Sequence, residues 1–340
     1  MRYFKAFHPS MICNGKQYAE NTVYEEDGDT ICKNGVMHFC ETPLDCLDYY
    51  PLIDEDGRVT EFAEVEPLDK VLEVENKRAC RKLRIGAKLS LKDFINAQVS
   101  IQMEKGACDT ADSGNWSHLA ASGDGSKLAA SSDGSHLAAS GDWSKLAASG
   151  DGSKLAASGD WSHLAASGDW SKLAASGNES KLAASGDESQ LAASGDWSQL
   201  AASGNESKLA ASGDESKLAA SGDWSHLAAS GDGSKLAASG DGSKLTASGD
   251  GSKLAASGNW SNLAASGDWS KLAASGAHSI AAAIGRNSTA SASLGSWIVL
   301  AEFGSDCLPI CVKAAQIDGE KLKPNVFYKL KGGEFVEANG

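Results

Sequence analysis

Several features that mark common protein classes are missing from this sequence of 340 residues. No stretch approaches the run of about 18 apolar residues that a membrane-spanning helix needs. The first residues contain no apolar run before a small-residue cleavage site, so we expect no secretory signal. Asp and Glu (45) outnumber Lys and Arg (31), and the net charge of −14 disfavours contact with nucleic-acid phosphates. We therefore expect a cytoplasmic protein, host-cytoplasmic if phage-encoded, that binds neither membranes nor nucleic acid directly.

Cysteine is missing from residues 112–276, although the whole chain contains eight. In a chain without an export signal we interpret these as reduced thiols. Cys32, His38, Cys40 and Cys46 lie close together in the sequence, but the paired C-x-x-C knuckles of zinc sites are absent. We predict core thiols and no metal or cofactor. Zinc binding, or a cysteine nucleophile with His38 as its base, stays an alternative.

Aromatic residues are also scarce, and eight of the nine tryptophans lie in one repetitive stretch, residues 112–276. This stretch repeats the phrase Gly-Asp-x-Ser-Lys-Leu-Ala-Ala-Ser, and leucine returns every nine residues from Leu119 to Leu272. We number the repeat with glycine as position 1, so that Gly123 to Ser131 is one copy. Such a short unit cannot bury its own apolar face, which predicts a stacked solenoid.

The constancy of positions 4, 6 and 8 predicts which side of each strand faces the core. Side chains alternate faces along a strand, so the serine, leucine and alanine at these positions share one side. Position 5 varies among Lys, His, Gln and Asn, as expected at a surface. We predict two repeats in each coil of 18 residues, with Leu119, Leu137 and Leu155 in one stack. Three repeats per coil, with Leu119 on Leu146, is the alternative.

The Ser-Gly-Asp segment is predicted to form the corner of each coil. Glycine reaches positive φ at little cost, and Asp or Asn can bond its own backbone two residues on. Calcium-binding nonapeptide rolls carry a doubled Gly-Gly-x-Gly-x-Asp phrase that is absent here. Asn also replaces Asp at position 2, for example at Asn178, which would lower the charge of a calcium ladder. We predict that the array needs no metal.

The predicted fold is mainly β, with a β-solenoid between two caps. Residues 1–105 form an α+β domain with short strands, residues 106–294 form the solenoid, and residues 295–340 form a small β cap. A helix is predicted from Leu91 to about Gln102, starting after Ser90 and able to cover the first coil. Strands are predicted near Tyr3-Phe4, Val36–Phe39, Tyr49-Tyr50, Phe62–Val65 and Val71–Val74, then over Trp297–Phe303, Pro309–Ile317 and Val326–Leu330.

Position 3 is the most variable surface position, holding Trp, Glu or Gly. Exposed tryptophan is enriched in interfaces, so we predict a non-enzymatic protein whose rod surface binds a protein partner. The alternative is that each indole merely shields the neighbouring glycine. The predicted partner-binding residues are Trp143, Trp161, Trp170, Trp197, Trp224, Glu179, Glu188, Glu206 and Glu215.

Other functions stay open at this point. The alanine row at position 7 allows ice binding, although only Thr246 supplies the threonine usual on such surfaces. The acidic rod, with nineteen acids and eleven lysines in residues 112–276, allows mimicry of DNA. A structural spacer, self-associating through a solenoid end or edge, is the second class, and an enzyme in residues 1–105 is the third.

The two ends of the chain carry a set of distinctive motifs. These are Cys13-x-Gly-x-x-Tyr18, Tyr24-Glu-Glu-Asp-Gly, Cys32-x-x-Gly-Val-Met-His38-Phe-Cys40-Glu-x-Pro43-Leu-Asp, Tyr49-Tyr50-Pro, Lys82-Leu-Arg-Ile-Gly-Ala, Gly295-Ser-Trp-Ile-Val-Leu-Ala-Glu and Lys323-Pro-Asn-x-x-Tyr-Lys-Leu. In these motifs the chain resembles an uncharacterised family of bacterial and phage proteins, in which a head and a tail flank short repeats rich in Ser, Gly and Ala. The resemblance implies a head–solenoid–tail organisation and a phage or prophage setting, in which the protein would bind, block or scaffold a host component. It transfers no functional residues.

Overall fold

The chain forms two compact units, the head domain (Met1–Gly106) and the solenoid unit (Ala107–Gly340). The structure is a computed structural model that describes residues 2–27, 36–54, 58–74, 77–104, 110–112, 114 and 116–338. None of the described helical segments has the length and apolarity that crossing a bilayer requires.

The head domain is built on an antiparallel sheet of seven strands in the order β4-β9-β6-β1-β5-β8-β7. The predictions near Tyr3, Val36, Phe62 and Val71 are confirmed, whereas Tyr49 and Tyr50 follow a 3₁₀ helix and form no strand. The elements are β1 (Tyr3–Phe7), β2 (Ile12–Cys13), β3 (Lys16–Gln17), β4 (Thr22–Glu25), β5 (Met37–Cys40), the 3₁₀ helix (Leu44–Asp48), β6 (Glu61–Pro67), β7 (Leu72–Val74), β8 (Lys77–Cys80), β9 (Lys82–Leu89) and α1 (Leu91–Glu104).

Helix α1 is confirmed, and its first turn is capped as predicted. The backbone N–H of Asp93 donates to Ser90 Oγ at 3.1 Å, and the Ser90 hydroxyl donates to Asp93 Oδ2. Its apolar side packs inside the head domain, where the Phe94 ring stacks on Phe62 with 3.9 Å between centroids. Burial of this face against β6 explains why a helix forms here.

The solenoid consists of two sheets of parallel strands, which the chain visits alternately. Sheet A contains β10 (Thr110–Asp112), β12 (Lys127–Ala130), β14 (Lys145–Ala148), β16 (His163–Ala166), β18 (Lys181–Ala184), β20 (Gln199–Ala202), β22 (Lys217–Ala220), β24 (Lys235–Ala238), β26 (Lys253–Ala256), β28 (Lys271–Ala274) and β30 (Thr289–Ala292). Sheet B contains β11 (His118–Ala121), β13 (His136–Ala139), β15 (Lys154–Ala157), β17 (Lys172–Ala175), β19 (Gln190–Ala193), β21 (Lys208–Ala211), β23 (His226–Ala229), β25 (Lys244–Ala247), β27 (Asn262–Ala265), β29 (Ile280–Ala283) and β31 (Trp297–Phe303).

The register of these strands confirms two repeats per coil. Leu119 pairs with Leu137 and Leu137 with Leu155 in sheet B, while Leu128 pairs with Leu146 in sheet A. The two leucine stacks therefore face each other across the interior. The alternative with Leu119 on Leu146, three repeats per coil, is wrong.

The core contains the side chains of positions 4, 6 and 8, as predicted. The central leucines are at most 2% exposed, and the position-4 serines from Ser135 to Ser261 are fully buried. A buried hydroxyl needs a partner, and here it donates to the carbonyl of position 1 in the same repeat, as from Ser144 to Gly141 at 2.7 Å. The serine thus closes the corner from inside.

Glycine at position 1 is needed for a reason other than the predicted positive φ. A Cβ at Gly195 would lie 2.3 Å from the carbonyl oxygen of Gly177, one coil earlier, and similar clashes occur along both edges. None of these glycines has positive φ; that conformation belongs to position 3. From Gly141 onward position 1 holds glycine because successive coils approach too closely for a side chain, and Ser132 is the one exception in the array.

The last coil is covered by two further antiparallel additions. In sheet B, β31 pairs with β32 (Pro309–Gln316), and in sheet A, β30 pairs with β33 (Tyr328–Lys331), followed by β34 (Glu334–Glu337). Ile298, Leu300 and Tyr328 close the leucine core. The predicted strands of the β cap are present, but the first of them, β31, continues sheet B of the solenoid in parallel. The turns at Gly319, Gly332 and Gly333 have positive φ.

Replacement of Leu191 by Ala should lower the free energy of unfolding by about 2–5 kcal/mol, because leucine is the one large core side chain of each repeat. Denaturant unfolding followed by far-UV circular dichroism measures the loss. A loss below about 1 kcal/mol would mean that the core collapses around the cavity.

Gly195→Ala should destabilise the solenoid more than Gly251→Ala. The methyl group at residue 195 meets a carbonyl oxygen at 2.3 Å, whereas at residue 251 nothing lies within 4 Å. Gly251 has a φ of 66°, so the control should cost only about 1–2 kcal/mol. Equal losses in a denaturant titration would contradict close approach as the reason for glycine at position 1.

Candidate functional site

The candidate site is formed by the two outer corners of the coil, where position 3 recurs every 18 residues along each edge. The first edge column contains Trp116, Gly134, Gly152, Trp170, Glu188, Glu206, Trp224, Gly242 and Trp260. The second edge column contains Gly125, Trp143, Trp161, Glu179, Trp197, Glu215, Gly233, Gly251 and Trp269.

Every position-3 residue adopts the left-handed conformation. The six glycines have φ between 65° and 70°, and the tryptophans and glutamates between 53° and 62°. Backbone hydrogen bonds hold this turn, since each position-3 N–H donates to the position-2 carbonyl one coil further on, as from Trp143 to Asp160 at 2.9 Å. The six glycines were the available sequence signal for this conformation, which the sequence prediction placed at position 1 instead.

The position-3 tryptophans are exposed in a conformation that glycine adopts more readily. Seven of the eight have between 54% and 69% of their surface exposed, including Trp143, Trp170, Trp197 and Trp224. Trp161 is half-buried because Trp143 stacks on it, with 4.8 Å between centroids and 11° between planes. The sequence prediction of outward-facing indoles agrees with these positions, and partner binding itself stays a prediction.

The shielding alternative is also partly visible. The Trp116 and Trp224 rings extend over Gly134 and Gly242 of the next coil, where a Cβ would lie 2.6 Å and 2.7 Å from them. Glu215 covers Gly233 in the same way. Indoles therefore cover the adjacent corner and still present most of their surface to solvent.

The predicted acidic residues lie in the same two columns as the tryptophans. Glu188 follows Trp170 by one coil, Glu206 follows Glu188, and all three are exposed. In the second column Glu179 is exposed and Glu215 is half-buried. The columns thus combine large aromatic surfaces with carboxylates at the spacing of adjacent strands, about 4.8 Å per coil.

A ladder of Asp and Asn side chains at position 2 runs beside each column. Asp142 N–H donates to Asp124 Oδ1 at 3.1 Å, and the pattern repeats along the edge to Arg286 N–H, which donates to Asp268 Oδ1 at 2.7 Å. The predicted bond to the residue's own backbone two positions on is therefore wrong, because the acceptor serves the next coil. Asn178 Oδ1 accepts in the same way, from Asp196 at 2.9 Å, so a carboxylate charge is not required.

Position 7 of sheet B forms a flat apolar strip along the solenoid. Ala156, Ala174 and Ala192 line a shallow groove of about 1410 Å³ together with the serines of position 9. Thr246 is part of this strip, and its hydroxyl lies 3.5 Å from the Leu227 carbonyl. Alanine offers no hydrogen bonds to ice or to a polar partner, so the edge columns are the richer candidate surface.

The cysteine and histidine group of the head domain shows no metal site in the part of the chain that the structure describes. Cys32 lies outside the described residues. His38, Cys40 and Cys46 line one cavity. Burial and a hydrogen bond with Cys40 raise the pKa of the Cys46 thiol, and burial together with Lys77 and Lys5 lowers the pKa of His38 to about 4. A protonated thiol is a poor nucleophile, which argues against Cys46 as a catalytic residue.

Residues 1–97 match a family described as a domain of unknown function, DUF7666. The match covers the head domain as far as the middle of α1 and leaves the solenoid outside it. It agrees with the resemblance of the first residues to an uncharacterised family. No curated protein and no solved structure matches the chain.

The melting temperature of the solenoid should stay unchanged in excess chelator, because the Asp ladder is satisfied by backbone N–H groups and accepts Asn in place of Asp. Differential scanning calorimetry with EDTA, and with added calcium as the control, measures this. A shift of several degrees in either condition would show that the carboxylates bind a metal.

The His38 imidazole should titrate near pH 4 in an NMR experiment, against an ordinary value of 6.5. Folded His38 then binds fewer protons than unfolded His38 between these pH values. The free energy of unfolding of the head domain should therefore fall as the pH is lowered from about 6.5 to about 4. His38→Gln should flatten this part of the stability profile, and a His38 midpoint near 6.5 would contradict the burial.

Proposed function

We propose that this protein is a non-enzymatic binding protein whose edge columns contact a macromolecular partner, most simply a protein. The observation that carries the proposal is the exposure of seven position-3 tryptophans in left-handed backbone conformation. This conformation costs a residue with a side chain about 1–2 kcal/mol relative to glycine. Six copies have glycine there, so the fold does not require tryptophan. A surface role accounts for the choice.

The chemistry of the columns favours a partner with basic and apolar groups. Indoles are frequent interface anchors, and Glu179, Glu188 and Glu206 add exposed negative charge beside them. Opposite charge on the partner would accelerate association, and added salt would slow it. The family resemblance suggests a phage or prophage protein acting on a host component in the host cytoplasm, and we include that setting in the proposal.

Replacement of Trp143, Trp161 and Trp197 by Gly should leave the fold intact and weaken capture of the partner. The matched variant replaces Trp170, Trp224 and Trp260, which removes the same number of indoles from the first column. Partners are defined by quantitative mass spectrometry as proteins that the wild type retains and a bait-free control does not, before either variant is tested. With the purified partner, the affinity should fall at least about tenfold for the column in contact.

Circular dichroism of both variants provides the folding control. If both folded variants and their combination bind the partner with undiminished affinity, the tryptophans only shield the corner and do not contact the partner. In a further measurement, Glu179→Gln with Glu206→Gln should reduce the on-rate and its dependence on salt while changing the off-rate little.

A structural, self-associating protein is the second candidate, and β32 favours it. This edge strand presents Ile310 and Val312, with Leu308 directly before it, next to unpaired backbone groups, and each of these three residues is more than half exposed. The edge strand of sheet A, β34, is short and begins and ends with glutamate, as is usual for a protected edge. The edge of sheet B at β32 is therefore apolar and open to pairing, whereas the edge of sheet A at β34 is protected by charge.

Light scattering over a range of protein concentrations tests self-association. The wild type should form dimers that Val312→Lys abolishes, whereas Ala264→Lys on the same sheet should leave them unchanged. A monomer at all concentrations would remove this candidate.

A further inference from the structure

We propose that the head domain contains a binding pocket for a small anion of the phosphate class, located between β1, β5 and β8. The site is separate from the edge columns and does not depend on the function proposed for them. It lies at a split in the head sheet. Strands β1 and β5 are neighbours, yet one residue pair, Phe4 opposite Cys40, joins them, and a cavity of about 330 Å³ opens beside it. This volume suits a small ligand.

Lys5 is the unusual group in this cavity. Its side chain is buried, with the residue only 4% exposed, and Nζ donates to the His38 carbonyl at 2.8 Å. Nζ also lies 5.5 Å and 5.6 Å from the ring centroids of Phe7 and Tyr18. Within the described residues, no carboxylate lies within ion-pair distance of it. A buried ammonium group has three donors and is costly to leave without a counter-charge, so the cavity is prepared for an anion.

Lys77 supplies a second positive charge to the same cavity. It is opposite Cys40 in the pairing of β5 with β8, and its Nζ lies 4.5 Å from the Tyr49 ring centroid. His38 lines the same cavity as both lysines, and burial together with the charges of Lys77 and Lys5 lowers its pKa. Among the described residues that line the cavity there is no Asp or Glu, in a chain with 45 of them.

The remaining lining suits the rest of a phosphorylated molecule. Tyr49 and Tyr50 provide aromatic surface at the side of the cavity. The Tyr50 hydroxyl lies 2.8 Å from Cys13 Sγ, and burial raises the pKa of Tyr50, so it stays a neutral donor. Two ammonium groups without a carboxylate repel metal cations and attract anions, and lysine commonly binds phosphate as a point charge. A planar or apolar group attached to the phosphate would contact the tyrosines.

Inorganic phosphate and phenyl phosphate are the probes, titrated into the full-length protein by calorimetry and followed at the His38 ring by NMR. We expect both to bind and to raise the pKa of His38, because the anion offsets the two ammonium charges. Phenyl phosphate should bind more tightly, since it also contacts the tyrosines. A raised pKa of His38 places the anion in this cavity, because an anion bound at a distant site would leave the pKa of His38 unchanged.

Lys5→Met keeps an unbranched side chain between Phe7 and Tyr18, and Lys77→Gln removes the second charge. Each should weaken binding by about tenfold to a hundredfold, as expected for loss of a hydrogen bond to a charged group. The matched control is Lys82→Gln in the same domain. Lys82 does not line the cavity, and its Nζ pairs with a Glu25 carboxylate oxygen at 2.9 Å. The affinity of this variant should equal that of the wild type.

The proposal is overturned if millimolar phenyl phosphate neither binds nor shifts the His38 titration. It is equally overturned if Lys82→Gln weakens binding as much as Lys77→Gln, because the attraction would then be unspecific. Lys77→Gln keeps the test decisive even if Lys5→Met unfolds the head domain. Loss of partner capture on tryptophan replacement would leave these results unchanged, so the two proposals fail separately.

Discussion

The close stacking of one coil's backbone on the next is the constraint from which the rest of the solenoid follows. Parallel strands in neighbouring coils share hydrogen bonds at a spacing of about 4.8 Å, and the corners must keep the same spacing. At position 1 this leaves no room for a Cβ, since added at Gly195 it would lie 2.3 Å from a carbonyl oxygen. Glycine there is thus a consequence of contact between residues 18 apart.

The same spacing explains the polar side chains of the corner. The N–H of position 2 points to the coil before it, where an Asp or Asn Oδ1 accepts it, as between Asp187 and Asp169 at 2.8 Å. Inside the corner, the position-4 hydroxyl donates to the position-1 carbonyl. Backbone groups that a turn would leave unpaired are therefore satisfied by side chains that recur at the same period. The repeat varies little at position 2 because this side chain joins two coils, and at position 4 because the serine closes the corner of its own repeat.

The close approach of successive coils does not restrict the side chain at position 3, so this position differs among repeats. Its backbone needs positive φ, but its side chain points along the edge, where Trp, Glu and Gly all fit.

The candidate site of the head domain is a cavity and not an exposed surface. There, Lys5, His38 and Lys77 come from three strands of one sheet and meet in a cavity. The chain thus has two candidate sites of opposite character, an acidic aromatic surface and a small basic pocket.

The sequence by itself determined the parts of the structure that depend on local periodicity. The period of nine residues, the alternation of Ser, Leu and Ala, and the single leucine per repeat led to the paired coil and its two leucine stacks. Helix α1 and the strands of the β cap were also predicted, because capping and apolar spacing are local signals. The outward position of the tryptophans was predicted from the variability of position 3 among the repeats.

Only the tertiary structure decided what depends on residues that are distant along the chain. The role of glycine at position 1 and the Asp ladder arise between coils, which a single repeat does not reveal. The pocket joins Lys5 to Lys77 through the pairing of β1, β5 and β8, and no motif in the sequence links them. Local patterns set each strand, but contacts between strands assign a residue its partner.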